Sequence, residues 1–295
     1  MAAAVSNAGG LGIVSALTQP TPQRLGIEID KCRELTNHPF GVNVTMLRSV
    51  NPPPYEEIIG TIIERNVRVV ETSGNVSLEI FETLNQAGIT IIHKCTSVRH
   101  AISAEKKGVH IVTIDGFECA GHPGEEDIPG LILIPASVSA LTIPVIASGG
   151  IADGRGLAAA LCLGASGICM GTRFVATKEA PVHEKIKLAL VNAHENDTRL
   201  MFRTLGNTAR VLSNKVSNEV IALETRPDGC TFDELRLLVS GARGRQTLVT
   251  GEIDSGVIWA GQVVGLINDI PTCRVLIERM VKQCNEQLAV ASSMF

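Results

Sequence analysis

The feature that most restricts the fold is an alternation. Short apolar runs rich in β-branched residues (11–17, 40–46, 67–72, 89–95, 109–115 and 143–148) take turns with helical segments (22–35, 55–65, 77–86 and 98–107). Glycine closes several of the turns, as at Gly88 and Gly108. Such a pattern calls for parallel strands joined by crossover helices. A chain of 295 residues suits one (β/α)8 barrel with an appendage. Through Phe174 the pattern supplies about seven strands, where a closed barrel has eight. Residues 1–7 read as the inside of a helix, uncapped ahead of Ala2–Ala3–Ala4–Val5 and ended by Gly9–Gly10. The expected fold class is therefore α/β, a (β/α)8 TIM barrel lacking its first strand through truncation or a mis-assigned start.

After Phe174 the regime changes. Helices are expected over 181–194, 198–211, 216–223 and 232–239, then a loop at Ser240–Gly241–Ala242–Arg243–Gly244–Arg245. Further helices follow over 258–266 and 272–290. No Ser/Pro-rich linker intervenes. The expected division is a barrel core over residues 1–180 and a helical region over 181–295 packed on it.

Composition narrows the function classes. A net charge of −4, with no basic run, argues against a nucleic-acid partner. No apolar stretch reaches the ~18 residues of a membrane span. The eight cysteines form no C-x-x-C and several sit in apolar segments, as expected of reduced thiols in a cytoplasmic protein. The N-terminus has no basic n-region or cleavage pattern, so no secretory signal is expected. Apolar C-terminal helices hint at a homodimer.

Two strand ends carry the first chemical signal. Ile143–Pro144–Val145–Ile146–Ala147–Ser148–Gly149–Gly150–Ile151 is an apolar strand ending in two glycines ahead of an Ala-rich helix. One βα unit later comes Gly167–Ile168–Cys169–Met170–Gly171–Thr172–Arg173. Bare amides at consecutive strand ends match the phosphate site that barrels build after strands 7 and 8. The plainer alternative is two turns that need glycine only for geometry.

The loop Asp115–Gly116–Phe117–Glu118–Cys119–Ala120–Gly121–His122–Pro123–Gly124 leaves a strand on what would be the active face. It places one imidazole between glycines, a group suited to moving protons near neutral pH. The other histidines read as a packed residue (His93) or as solvated positions and helix ends, without metal-ligand spacing, so no metal is expected. Lys94 ends a strand and either reaches an anionic ligand at the mouth or snorkels to solvent. Asn43 and Thr45 end another and could hydrogen-bond a planar heterocycle. Cys119 reads as an inert buried thiol, since no orienting partner accompanies it.

Taken together, several motifs in order resemble the nitronate monooxygenase (2-nitropropane dioxygenase) family of FMN-dependent barrels. They are Ala8–Gly9–Gly10–Leu11–Gly12, Pro39–Phe40–Gly41–Val42–Asn43, His93–Lys94–Cys95–Thr96, Glu118–Cys119–Ala120–Gly121–His122–Pro123–Gly124, Ala147–Ser148–Gly149–Gly150–Ile151 and Met170–Gly171–Thr172–Arg173–Phe174. The 115–125 motif and Ser240–Gly241–Ala242–Arg243–Gly244–Arg245–Gln246 are most similar to the family's bacterial NADH:quinone reductase branch. The resemblance implies FMN phosphate on the backbone around Gly149, Gly150, Ile151, Gly171 and Thr172, with Ser148 also among the cofactor-binding residues. It implies flavin-ring contacts from Thr45, Lys94 and Ala120, with the lysine stabilising charge on the reduced ring. It implies His122 as the catalytic residue, facing nitronate, quinone or nicotinamide. The family's first strand and its loop have no counterpart before Met1.

The expected activity is thus an FMN-dependent oxidoreductase, oxidising nitronates or nitroalkanes with oxygen, or NAD(P)H with a quinone. One alternative is a flavin-dependent enoyl-thioester reductase, which would want a basic patch at the mouth for an acyl carrier protein; the sequence shows no such cluster. The other is an N-terminally shortened, inactive flavin-binding paralogue.

Overall fold

A computed structural model of the chain describes residues 1–46 and 52–294, so Phe295, the last residue of the expected C-terminal region, lies outside it. Seven parallel strands form one sheet in chain order: β1 (Gly12–Ser15), β2 (Phe40–Met46), β3 (Val69–Gly74), β4 (Thr90–Cys95), β5 (Ile111–Asp115), β6 (Val145–Ser148) and β7 (Gly167–Cys169). The fold is that of a TIM barrel, with helices outside the sheet, as the alternation predicts. Among the described residues β7 and β1 do not pair. The Cys273–Ser292 helix runs past this seam. It packs on the Gly154–Cys162 helix and on the Ala2–Asn7 helix, and Gly154 N donates to its Gln283 Oε1 at 3.1 Å.

Four of the outer helices start where the sequence supplies a side-chain cap. Thr21 accepts from Arg24 N with Pro22 at the first helical position, Ser77 from Ile80 N, and Ser97 from His100 N. Asp153 accepts from Arg155 N and Gly156 N at the mouth of the Ala-rich helix.

Strand parity decides which side chains face the lumen. Val42 and Val44 on β2, Val70 on β3, Ile91 on β4, and Val112 and Ile114 on β5 are fully buried in the barrel's main apolar cluster. The residues alternating with them include Asn43, Thr45, Glu71, Ser73, Lys94, Thr113 and Asp115. The register aligns Thr45 with Ser73, Ser73 with Lys94, and Lys94 with Thr113 in one row.

The C-terminal region differs in three places from the sequence expectation. Residues 198–211 are not a helix. They form an antiparallel hairpin, β8 (Thr198–Met201) with β9 (Ala209–Leu212), turned by left-handed Phe202 (φ 63°) and Gly206 (φ 60°). The expected loop at 240–245 instead starts a helix, Gly241–Thr250, because the Ser240 hydroxyl caps it by accepting from Arg243 N. Residues 258–266 are an extended stretch and a short 3-10 turn, Gln262–Leu266, since the stretch pairs with the hairpin at Val211 and Trp259. Among the described residues no helix is long and apolar enough to cross a membrane.

Candidate active site

The C-terminal ends of the strands open into one cavity of about 1130 Å3. That exceeds the ~300–1,000 Å3 of ordinary small-molecule sites, and part of the volume belongs to the seam between β7 and β1, where Ala2, Val5, Gly12 and Met280 line it. Its floor is a charged layer. Lys94 extends from β4 across the lumen to within 3.5 Å of Cys169 Sγ on β7. Its ammonium lies 3.7 Å from Asp115 Oδ1 and 3.9 Å from Glu71 Oε1. Burial alone would lower the Lys94 ammonium, but Asp115, Cys169 and Glu71 outweigh it and hold the group well above the usual lysine range. The ammonium is thus a fixed positive charge.

The layer continues through hydrogen bonds. Asn43 Nδ2 donates to Glu71 Oε2 at 2.8 Å, Thr45 Oγ1 to Asn43 Oδ1 at 3.0 Å, and Ser73 Oγ to Thr45 Oγ1 at 2.9 Å. Beside Lys94 in the register stands Thr113, whose Oγ1 is buried and has no hydrogen-bond partner. A buried hydroxyl left unpaired costs roughly 1–3 kcal/mol. In the wall of a cavity it is a group waiting for a ligand.

The opposite wall is backbone. Gly149 (φ 89°) and Gly150 (φ 68°) are left-handed. A Cβ at Gly149 would meet Cys119 Cβ at 3.0 Å, and one at Gly150 would meet Glu118 Cγ at 2.8 Å. Glycine is therefore required here for conformation and for the approach of the 116–119 loop, which the plainer reading of these turns anticipated. The amides nevertheless remain free. No turn, loop, cap or side-chain acceptor takes the N–H of Gly149, Gly150, Ile151, Gly171 or Thr172 among the described residues, and all five residues line the cavity. A Cβ at Gly171 would meet nothing within 4 Å. Free amides at two adjacent strand ends suit a phosphate. A planar polar group over Lys94 and Thr113 with its phosphate at these amides fits the donors present.

His122 hangs over the cavity from the loop after β5, half-buried. The hairpin straps that loop. Gly121 and Arg210 exchange backbone hydrogen bonds of 3.1 and 2.6 Å, and the buried Arg210 guanidinium donates to Phe117 O at 3.1 Å. Glu125 accepts from Thr208 N at 2.7 Å and from Thr208 Oγ1 at 2.5 Å. Burial lowers the His122 pKa, against a smaller opposing pull from Glu125, so the imidazole is neutral near pH 7. Its ring lies 5.8 Å from that of Trp259.

The ten residues singled out from the sequence thus converge. Thr45, Lys94, Ala120, His122 and Ser148 line the same cavity as the five glycine-end residues. His93 stands on the opposite face of β4 from Lys94, where the cavity is bordered by Phe81, His100 and Lys107. It packs edge-on to Phe81, its Nδ1 lies 2.8 Å from Thr72 Oγ1, and burial drives its pKa down to about 4. Cys119 is buried, and burial followed by Asp115 pushes its thiol far above the ordinary range, so it is no nucleophile. Sequence reasoning did not single out Glu71, Thr113, Asp115 or Trp259. A lone carboxylate inside Val69–Val70–Glu71–Thr72 was the available signal.

Known proteins resemble this chain over most of its length. The family model for nitronate monooxygenase matches residues 1–283. A (3aS,4S,5R,7aS)-5-hydroxy-7a-methyl-1-oxo-octahydro-1H-indene-4-carboxyl-CoA dehydrogenase of Rhodococcus jostii is 31% identical, with 95% of this chain and 87% of that protein covered. A probable nitronate monooxygenase of Staphylococcus aureus is 32% identical, with 97% and 90% covered. The solved structure of FabK from Thermotoga maritima superposes with a TM-score of 0.91 at 33% identity, covering 100% of this chain and 91% of that one. With the family model spanning the sheet, the His122 loop and both glycine ends, this chain belongs to the nitronate monooxygenase family of oxidoreductases.

Proposed function

We propose that the chain is an FMN-dependent oxidoreductase that oxidises nitronates or nitroalkanes with oxygen, or NAD(P)H with a quinone. The observation that carries this reading is the single cavity that joins free amides at the ends of β6 and β7, the Lys94 layer and His122. Gly149, Gly150, Ile151, Gly171 and Thr172 would hold the FMN phosphate, with Ser148 beside them. Thr45, Lys94, Thr113 and Ala120 would line the flavin ring. When bound, FMN would accept two electrons from one substrate and deliver them to the next.

The chain's own residues do the rest. Lys94, held positive by Asp115 and Glu71, would offer the bound flavin a fixed positive charge. Neutral His122 can take a proton from an acidic carbon of a nitroalkane, or hold the carbonyl oxygen of a quinone or the amide of a nicotinamide. For the second couple, NADH, a proton and quinone become NAD+ and hydroquinone.

The test is a steady-state comparison of the purified flavoprotein with NADH plus benzoquinone and with propyl-2-nitronate plus oxygen. Turnover with neither would overturn the reading. His122→Ala should lower kcat by roughly 10²–10⁴ on whichever couple is active. A CoA thioester as substrate is the second reading, favoured by the dehydrogenase named for such a compound among the relatives.

We also assign a cytoplasmic setting, in keeping with eight free cysteines. The 1–180 and 181–295 division and a homodimer complete the proposal.

A further inference from the structure

Between the buried residues Ile258 and Ala260 stands Trp259, with 46% of its surface exposed. The exposure is not that of a loose loop, because both flanks are tied down. Leu212 N donates to Ile258 O at 2.8 Å, and Trp259 bridges Val211 on β9. On the other side Gly261 N donates to Thr172 Oγ1 at 3.1 Å and Gln262 N to Glu118 O at 3.0 Å. A chain fixed on both flanks holds the largest aromatic side chain out toward solvent, with its ring 5.8 Å from the His122 ring and tilted by 38°. Burying an indole is favourable, and leaving one exposed on rigid backbone beside a cavity mouth forgoes that gain. Aromatic rings fixed in this way bind other flat rings with little loss of conformational freedom.

Resting on the oxidoreductase reading above, we propose that Trp259 is a stacking platform that selects planar-ring substrates, a nicotinamide or a quinone, and seats them beside His122. Trp259 is a specificity residue whose ring, 5.8 Å from that of His122, borders the substrate subsite from outside the cavity lining. An aliphatic nitronate anion offers no ring for it to stack.

The chain has one tryptophan, so the platform carries its own reporter. The experiment titrates the flavin-loaded protein with NAD+ and follows indole emission, with propyl-2-nitronate as the aliphatic control. A pyridinium ring stacked on indole quenches it by charge transfer. The expected result is a saturable quench by NAD+ and none by the nitronate. Trp259→Ala should raise the KM for NADH by roughly three- to tenfold, and Trp259→Phe should recover most of that. Flavin content, read from absorbance, should match wild type in both variants. An unsaturable quench, or a KM unchanged in Trp259→Ala, overturns the platform. If wild type shows the saturable quench but no NADH:benzoquinone turnover, the platform stands and the NAD(P)H:quinone reading falls.

Discussion

The two walls of the cavity reach the same end by different chemistry. On β2 to β5 the polar groups are side chains: Asn43, Glu71, Lys94 and Asp115 hold one another in a charged layer. On β6 and β7 they are backbone amides exposed by glycine. A side-chain wall is stabilised by internal pairing and depends on each member. A backbone wall has no members to lose and is damaged only by adding atoms. The first should therefore fail by deletion and the second by insertion.

The largest expected effect is a deletion. Lys94→Met leaves Glu71 and Asp115 without their cation, and breaking such a partly buried pairing costs about 3–5 kcal/mol. Urea unfolding checks the value, and Glu71→Gln in the same chain should recover part of it. A cost below about 1 kcal/mol would mean that solvent already screens the layer, as at a surface pair.

Next comes a control from the outer face of the same strand. His93 has a folded-state pKa of about 4 against an ordinary 6.5. The unfolded chain therefore binds the proton more readily. The stability from neutral His93 is fully present above pH 6.5 and is lost as pH falls toward 4, about 3 kcal/mol in all. His93→Gln should flatten the melting temperature across this window. If the slope persists, acid sensitivity belongs to the inner carboxylates instead.

An insertion follows. Gly150→Ala forces a Cβ into the left-handed region and to 2.8 Å from Glu118 Cγ. The expected cost is about 1–3 kcal/mol, with flavin lost on dialysis. Retained flavin would show that the amides are not its seat. The smallest change is Thr113→Val, which removes the unpaired hydroxyl at nearly constant volume. Cofactor-free protein should gain up to about 1 kcal/mol, while flavin affinity falls by up to about tenfold. Isothermal titration separates the two.

The same contrast explains what the sequence made legible. Gly149–Gly150 and Gly171 announce themselves because two glycine-bearing strand ends fall one βα unit apart. His122 stands out because its loop is long and flanked by Gly121 and Gly124. The charged layer was harder. Whether Glu71 faces the lumen or solvent depends on strand parity, and its partners arrive from neighbouring strands through the register. The hairpin reads as helix in the sequence because its strands have four residues each, too few to show a period of two. Trp259 gave no local signal at all, since its meaning lies in its distance from His122.

The strapping of the His122 loop has a consequence for how the protein is made. Phe117 is held by Arg210, 93 positions later, and Gly154 by Gln283, 129 positions later. Glu118 likewise meets Gln262 only near the end of the chain. As the polypeptide leaves the ribosome, the whole seven-stranded sheet is available while the loop above it is still untethered. Premature termination before about residue 208 would spare every strand of that sheet and still leave the His122 loop without the hairpin that straps it.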